Sequence, residues 1–320
     1  MWKSIVRAVV VLAAAGSAVA TAAQPPEGCA APELRAAATV GMIADVVREI
    51  GGSCVDVTAM MGPGVDPHLY SATLQDVELL FNADIIFYGG LNLEARLTDV
   101  MEQVRSGLNK PVIPVSEAID PSLILTVPGT NATDPHVWMD VSMWMQAAGA
   151  IRDGLIAALP DHRAYLEANA ERYLAEMAEL DTYIREQVAS VPPEQRVLVT
   201  AHDAFQYFGR AYGIEVHAPQ GISTATEAGV QDIRRVIDLL TERNVPAIFV
   251  ETSVSSDVVE AIQAGARSRG QDVAIGGSLF SDAMGAAGTP EGTYLGMIRA
   301  NINTIAGALR GGAAGEGESS

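Results

Sequence analysis

The sequence carries one tripeptide twice, Asp66-Pro67-His68 and Asp134-Pro135-His136, with the two histidines 68 positions apart. Each proline fixes its own φ and biases the aspartate before it toward extended backbone. Each imidazole therefore leaves a stiff, non-helical segment. The chain has five histidines in 320 residues, so two in matched frames suggest joint use. Imidazole is the commonest side-chain metal ligand, and a rigid mount suits coordination. Two further residues extend the set. His202 stands in Thr200-Ala201-His202-Asp203-Ala204-Phe205, and Asp282 in Phe280-Ser281-Asp282-Ala283-Met284. Three nitrogens and a carboxylate suit zinc best among common ions, with manganese the alternative if the carboxylate binds through both oxygens. Spacing alone leaves two readings of these four loop residues open, metal ligands or ordinary polar surface groups.

Other residues read more plainly. His162 falls in the first turn of a long helix and is expected to be solvated. His217 ends a strand and is expected to be structural or exposed. Met60, Met61, Met139, Met143 and Met145 could suggest copper, but their apolar settings favour core packing.

The elements that must position these groups alternate. Strands read at Arg35 to Met42, Cys54 to Met60, 84–88 and 112–115, separated by helical patterns at Ile43 to Ile50, Leu74 to Ala83 and Leu93 to Val104. Such alternation implies a parallel sheet flanked by helices. From Val141 to Val191 strand signals vanish. Pro160 divides this stretch into two helices, and the second, from Asp161 as N-cap to about Val188, has apolar residues at helical spacing. After Pro192-Pro193 the alternation resumes, with strands at Arg196 to Thr200, Ile214 to His217, 247–250 and Val273 to Ile275, and a closing helix at Thr293 to Leu309. The predicted organisation is an α/β lobe over 34–140, a helical segment over 141–191 that includes one long rigid linking helix, a second α/β lobe over 195–311, and a disordered tail over 312–320. Ligands of open α/β sheets bind beyond the carboxyl ends of the strands. His68, His202 and Asp282 each follow a predicted strand.

Composition limits the partners. With 20 Lys+Arg against 39 Asp+Glu, the formal net charge is −19. Nucleic acid and anionic lipid are repelled, and a cation is the natural small partner. Lys3 and Arg7 precede an apolar run from Ala8 to Ala20 and then small residues, so residues 1–23 read as a cleavable signal peptide. No later stretch is apolar enough to span a bilayer. Pro26-Glu27-Gly28-Cys29 lacks the apolar residue expected before a lipid-modified cysteine. The expectation is thus a periplasmic protein, neither inserted in nor lipid-anchored to the membrane. Cys29 and Cys54 form an even pair. In an exported chain this favours a disulfide over two separate buried thiols.

Taken together, Val65-Asp66-Pro67-His68, residues 134–140, residues 200–205, Gly221-Ile222-Ser223-Thr224, residues 280–284 and Glu291-Gly292-Thr293-Tyr294 resemble the zinc- and manganese-binding receptors of ABC-type uptake systems, the TroA-like cluster. The resemblance spans nearly the whole mature chain. It implies two lobes on one rigid helix, metal ligands at His68, His136, His202 and Asp282, and delivery to an ABC permease with its ATPase. A periplasmic metallochaperone is a further partner to test, and a monomer is expected. The family's zinc specialists often carry a His-rich loop before the second histidine, absent from Ser116 to Thr133 here. Its manganese specialists usually carry Glu at the third ligand position, where this chain has His202. A shell of three His and one Asp resembles the TroA-like members, which accept zinc and often manganese, and imidazole in place of that carboxylate softens the site and favours zinc. Glu251, Asp66 and Asp134 are candidates to orient the imidazoles, although the two aspartates could equally shape only their turns.

Four protein ligands fill a tetrahedron, whereas a catalytic zinc keeps a position for water. The chain has no HExxH, GxSxG or GxGxxG pattern. A binding protein rather than an enzyme is expected. The alternative is a zinc hydrolase with Asp282 as general base.

Overall fold

The computed structural model describes residues 26–107 and 110–311. The expected signal peptide over 1–23 and tail over 312–320 lie outside the described residues. The chain alternates strand and helix in its first part: β1 (Leu34–Ala38), α1 (Gly41–Gly51), β2 (Val55–Ala59), α2 (Leu74–Asn82), β3 (Ile85–Tyr88), α3 (Thr98–Gly107) and β4 (Val112–Pro114). These strands form one parallel sheet in the order β2-β1-β3-β4. Two helices follow, α4 (Val141–Ala158) and the 27-residue α5 (Arg163–Ala189). The second part holds β5 (Val197–Val199), α6 (Gln206–Tyr212), β6 (Glu215–His217), α7 (Val230–Arg243), β7 (Ala247–Glu251), α8 (Asp257–Ser268), β8 (Ala274–Leu279) and α9 (Tyr294–Leu309). Its strands pair in parallel as β5-β6 and β7-β8.

Three sequence expectations are corrected. Gly41 opens α1 rather than ending a strand, because Ala38 is the last residue of β1 paired in the ladder. Asp161 is not the cap of α5. Pro160–His162 forms its own tight turn, and α5 begins at Arg163 without a side-chain cap. The strand expected to stop at Ile275 runs on to Leu279, because Gly277 takes a φ of 138° and the ladder resumes beyond a register shift. Glycine is the residue that tolerates such a bulge.

At about 1.5 Å per residue, α5 is about 40 Å long, enough to reach both lobes. It is fastened along its length. Near its start, Asn169 donates to the Ile50 carbonyl and the Tyr173 hydroxyl to Asp45. Near its end, the Tyr183 hydroxyl donates to Asn303 on α9, and Arg185 to the Ala211 carbonyl in the last turn of α6. One apolar core joins the first sheet, α1, α4, α5 and α9 without a break. A smaller core packs α7 and α8 on the second-lobe strands through Val197, Ile248, Leu240 and Ile262. Met61, Met139 and Met143 are buried in the larger core, with Met60 and Met145 packed against it, as expected for packing rather than copper.

Cys29 and Cys54 form the expected disulfide. It ties the segment before β1 to the corner between α1 and β2. Among the described residues, no helix is long and apolar enough to cross a membrane.

Candidate metal centre

The loop after β2 carries His68, the loop after β5 carries His202, and the loop after β8 carries Asp282. His136 comes instead from the segment leading into α4. There Asp140 caps the helix by accepting from the amides of Ser142 and Met143, which fixes where the preceding turn lies. Exposure of the four side chains' residues is 3% or less.

Their ligand atoms converge. Nε2 of His136 lies 3.3 Å from Nε2 of His68 and 3.4 Å from Nε2 of His202. Oδ1 of Asp282 lies 3.3 Å from Nε2 of His136. Its Oδ2 lies 3.1 Å from Nε2 of His202 and 3.8 Å from Nε2 of His68. A tetrahedral ion with zinc–nitrogen and zinc–oxygen bonds of 2.0–2.2 Å separates its ligand atoms by about 3.3–3.6 Å. The observed spacings sit near those edges. Both oxygens of Asp282 are buried and, among the described residues, have no hydrogen-bond partner outside the cluster's own imidazole nitrogens, which is costly unless those rings or a cation neutralise them.

Carboxylates behind the ring set its orientation. Nδ1 of His202 is 2.5 Å from Oε2 of Glu251, whose Oε1 accepts from the amides of Ala201 and His202. Nδ1 of His136 is 2.7 Å from Oδ1 of Asp134, which also accepts the His136 amide. With a carboxylate accepting at Nδ1, Nε2 is left to face the centre. Asp66 does otherwise. It accepts from the His68 amide at 2.8 Å and from the Thr224 hydroxyl of the opposite lobe, so it shapes the His68 turn and ties the lobes together.

Charges in the cluster are strongly perturbed. Burial opposes charge on His202, but Glu251 and Asp282 outweigh it and lift its pKa well above the usual value. At His136 burial is again outweighed, by Asp134 and Asp282, and the pKa rises to about 9. For His68, burial prevails and lowers the pKa to about 4. Burial raises the tendency of Asp282 to hold a proton, yet His202 and His136 hold it well below the usual carboxylate range. A cation entering the cluster displaces protons from imidazoles that otherwise balance Asp282.

Several positioning residues escaped the sequence reading. The Trp138 indole donates to the Ser281 carbonyl, beside Asp282, and the Tyr294 hydroxyl donates to the Trp138 carbonyl. The Tyr207 hydroxyl donates to the Asp134 carbonyl. Trp138, Thr224 and Tyr294 stand in the segments that resemble the family, which was the available signal. His162 is not simply solvated. Its Nε2 lies 3.4 Å from Sγ of Cys29 and 3.3 Å from Glu33. The His217 side chain pairs with Glu215 instead of joining the cluster.

Comparison with known proteins agrees with this architecture. The family model described as zinc-uptake complex component A, periplasmic (ZnuA), matches residues 37–308. The manganese-binding lipoprotein MntA of Bacillus subtilis is 44% identical over 87% of this chain and 90% of its own length. The manganese ABC transporter substrate-binding lipoprotein PsaA of Streptococcus anginosus is 30% identical over 91% of this chain and 94% of its own. The solved periplasmic zinc-binding protein TroA of Treponema pallidum superposes with a TM-score of 0.84 at 46% identity, covering 86% of this chain and 99% of that one. Two of these names correct an expectation. MntA and PsaA are lipoproteins, so the expectation of a protein without a lipid anchor is withdrawn. It leaned on the missing apolar residue before Cys29. The hydrolase reading falls too, since the family binds and hands over a substrate. The chain therefore belongs to the ZnuA family, the extracytoplasmic metal-binding receptors of ABC-type uptake systems that work with a permease and its ATPase.

Proposed function

We propose that this receptor captures zinc in preference to manganese, using His68, His136, His202 and Asp282 as ligands, and releases it to its permease. The observation that carries the reading is Asp282. Its two buried oxygens have no partner among the described residues except the three imidazole nitrogens they face, at 3.1–3.8 Å. Three imidazoles and one carboxylate favour zinc over the harder manganese ion. Because Oδ1 faces His136 while Oδ2 faces His202 and His68, the carboxylate straddles the centre. A manganese ion would bind through both oxygens. Relatives named for each metal support keeping both cations in view.

In this reading residues 34–140 and 195–311 are the two lobes, with the 141–191 segment between them. Glu251 and Asp134 hold the rings of His202 and His136, and Asp66 holds the turn of His68. The protein acts as a monomer. A periplasmic metallochaperone that loads it is a further proposal, best tested by pull-down with the metal-free protein. The main test is calorimetry with zinc and manganese on wild type, His68→Ala and His202→Ala. Loss of each ligand should weaken zinc binding on the order of 100-fold or more, with unchanged circular dichroism. Equal affinity in both variants, or tighter manganese than zinc in wild type, would refute the assignment.

A further inference from the structure

A second group of metal-binding side chains lies at the start of α5. Cys29, Cys54 and His162 offer ligand atoms within 4.8 Å of one another. Sγ of Cys29 is 3.4 Å from Nε2 of His162, and Oε2 of Glu33 is 3.3 Å from the same nitrogen. The Cys29 amide donates to Sγ of Cys54 at 3.0 Å. While the cysteines are joined, their sulfurs are poor ligands, because the thiolate is the species that binds metal. We propose that reduction of the Cys29–Cys54 disulfide opens a second site, in which Cys29, Cys54, His162 and Glu33 bind zinc or another thiophilic divalent cation.

The geometry suits the chemistry. Zinc–sulfur bonds of about 2.3 Å and zinc–nitrogen bonds of about 2.0 Å set a tetrahedral sulfur–nitrogen edge near 3.5 Å, close to the Cys29–His162 spacing. The two sulfurs must part to about 3.8 Å, and the Cα atoms, 4.8 Å apart, allow this by side-chain rotation. Cys29 belongs to the coil before β1, so it can adjust without disturbing the sheet. An amide already aimed at Sγ of Cys54 would stabilise a thiolate there. His162 is 23% exposed, which leaves a path from solvent.

Each step balances. A dithiol gives two electrons and two protons, the protein S–S bond breaks, the dithiol closes its own disulfide, and two protein thiols result. A phosphine serves equally, leaving as its oxide with oxygen and two protons drawn from water. Zinc then forms two zinc–sulfur bonds and both thiol protons pass to solvent. Either state holds residue 29 against the α1–β2 corner, by a covalent bond or by a cation that also reaches α5.

The test measures metal on the whole mature protein, oxidised or treated with a phosphine, by elemental analysis after gel filtration. Cobalt(II) then serves as a spectroscopic probe, because only thiolate ligands give a sulfur-to-cobalt absorption. One equivalent of zinc is expected in the oxidised protein and two in the reduced one. The thiolate band should appear on reduction, persist in His68→Ala and weaken at least tenfold in cobalt affinity in His162→Ala. Persistence in His68→Ala separates this site from the three-histidine cluster. A reduced protein with no thiolate band, a His162→Ala variant that binds equally well, or loss of far-ultraviolet dichroism on reduction would overturn the proposal.

Discussion

Glu251→Gln asks whether zinc affinity depends on a carboxylate that never meets the metal. Oε1 of Glu251 accepts two amides, from Ala201 at 2.8 Å and His202 at 2.9 Å. Oε2 takes the Nδ1 proton of His202 at 2.5 Å. In the glutamine variant the amide oxygen must stay with the two backbone donors. Its NH2 then faces Nδ1, and two donors cannot meet. His202 must shift its proton to Nε2, which removes the lone pair aimed at the centre, or the amide must turn and strand two buried N–H groups. Loss of such an orienting partner costs about 10- to 100-fold in metal affinity, or about 1.4–2.8 kcal/mol. Asp134→Asn is the control, because a single oxygen, Oδ1, accepts both the amide and Nδ1 of His136. Asparagine can keep its carbonyl in that place, so only charge is lost, and the fall should be roughly 3- to 10-fold. Competition against a fluorescent zinc chelator at fixed pH reads both. The reasoning fails if Glu251→Gln stays within about twofold of wild type, or if Asp134→Asn is the more damaging change.

Four other outcomes follow from the structure. Zinc must displace the Nε2 proton of His136, whose pKa is lifted to about 9, so affinity should rise from pH 6 to 9. A flat profile would contradict this. By linkage, the same group stabilises the metal-free fold fully below its free pKa of about 6.5 and loses that contribution as pH climbs through about 9. Melting of the metal-free protein should fall over that interval. Thr224→Val removes a hydroxyl that donates across the lobes to Asp66. Zinc release into excess chelator should quicken several-fold, for about 1 kcal/mol lost, and an unchanged rate by stopped flow would refute the tie. Replacing Cys29 and Cys54 by Ser opens a loop of 25 residues and should lower unfolding stability by about 3 kcal/mol, as read by denaturant titration. No change in midpoint would contradict that.

The two DPH frames made the site partly legible, since proline rigidity speaks for presentation before any fold is known. His202 and Asp282 were legible through strand position. Their loops follow β5 and β8, where an α/β sheet puts its ligands. Glu251 was visible as the carboxylate closing a buried strand. What stayed hidden was long-range. Nothing local says that Thr224 reaches Asp66 across 158 positions, or that Trp138 donates to Ser281 across 143. Asp45 gave no signal inside an amphipathic helix, yet it accepts from Tyr173 of α5 and from the amide of Tyr294. His162 looked solvated because its contact with Cys29 depends on how the terminal segment folds back. Side-chain pairs set by topology carry no periodic trace in the chain.

These long-range contacts determine where the site can open. A wide hinge would have to break the ties of α5 to both lobes and the buried bonds that Asp45 makes to α5 and α9. The four loops are not held equally. His136 is locked by Asp134 and by the Tyr207 and Trp138 bonds around it, and His202 by three bonds to Glu251. The turn of His68 is joined to the other lobe through the Thr224 hydroxyl on Asp66, and to its own lobe through Arg96 on the Leu69 carbonyl. His68 also has the pKa most depressed by burial, so it is the imidazole least able to hold a proton in the centre. The His68 turn is thus the part that yields first, and amide exchange over residues 62–72 should quicken on zinc removal more than exchange around His136 or His202. Equal protection at all three histidine loops would place the opening elsewhere.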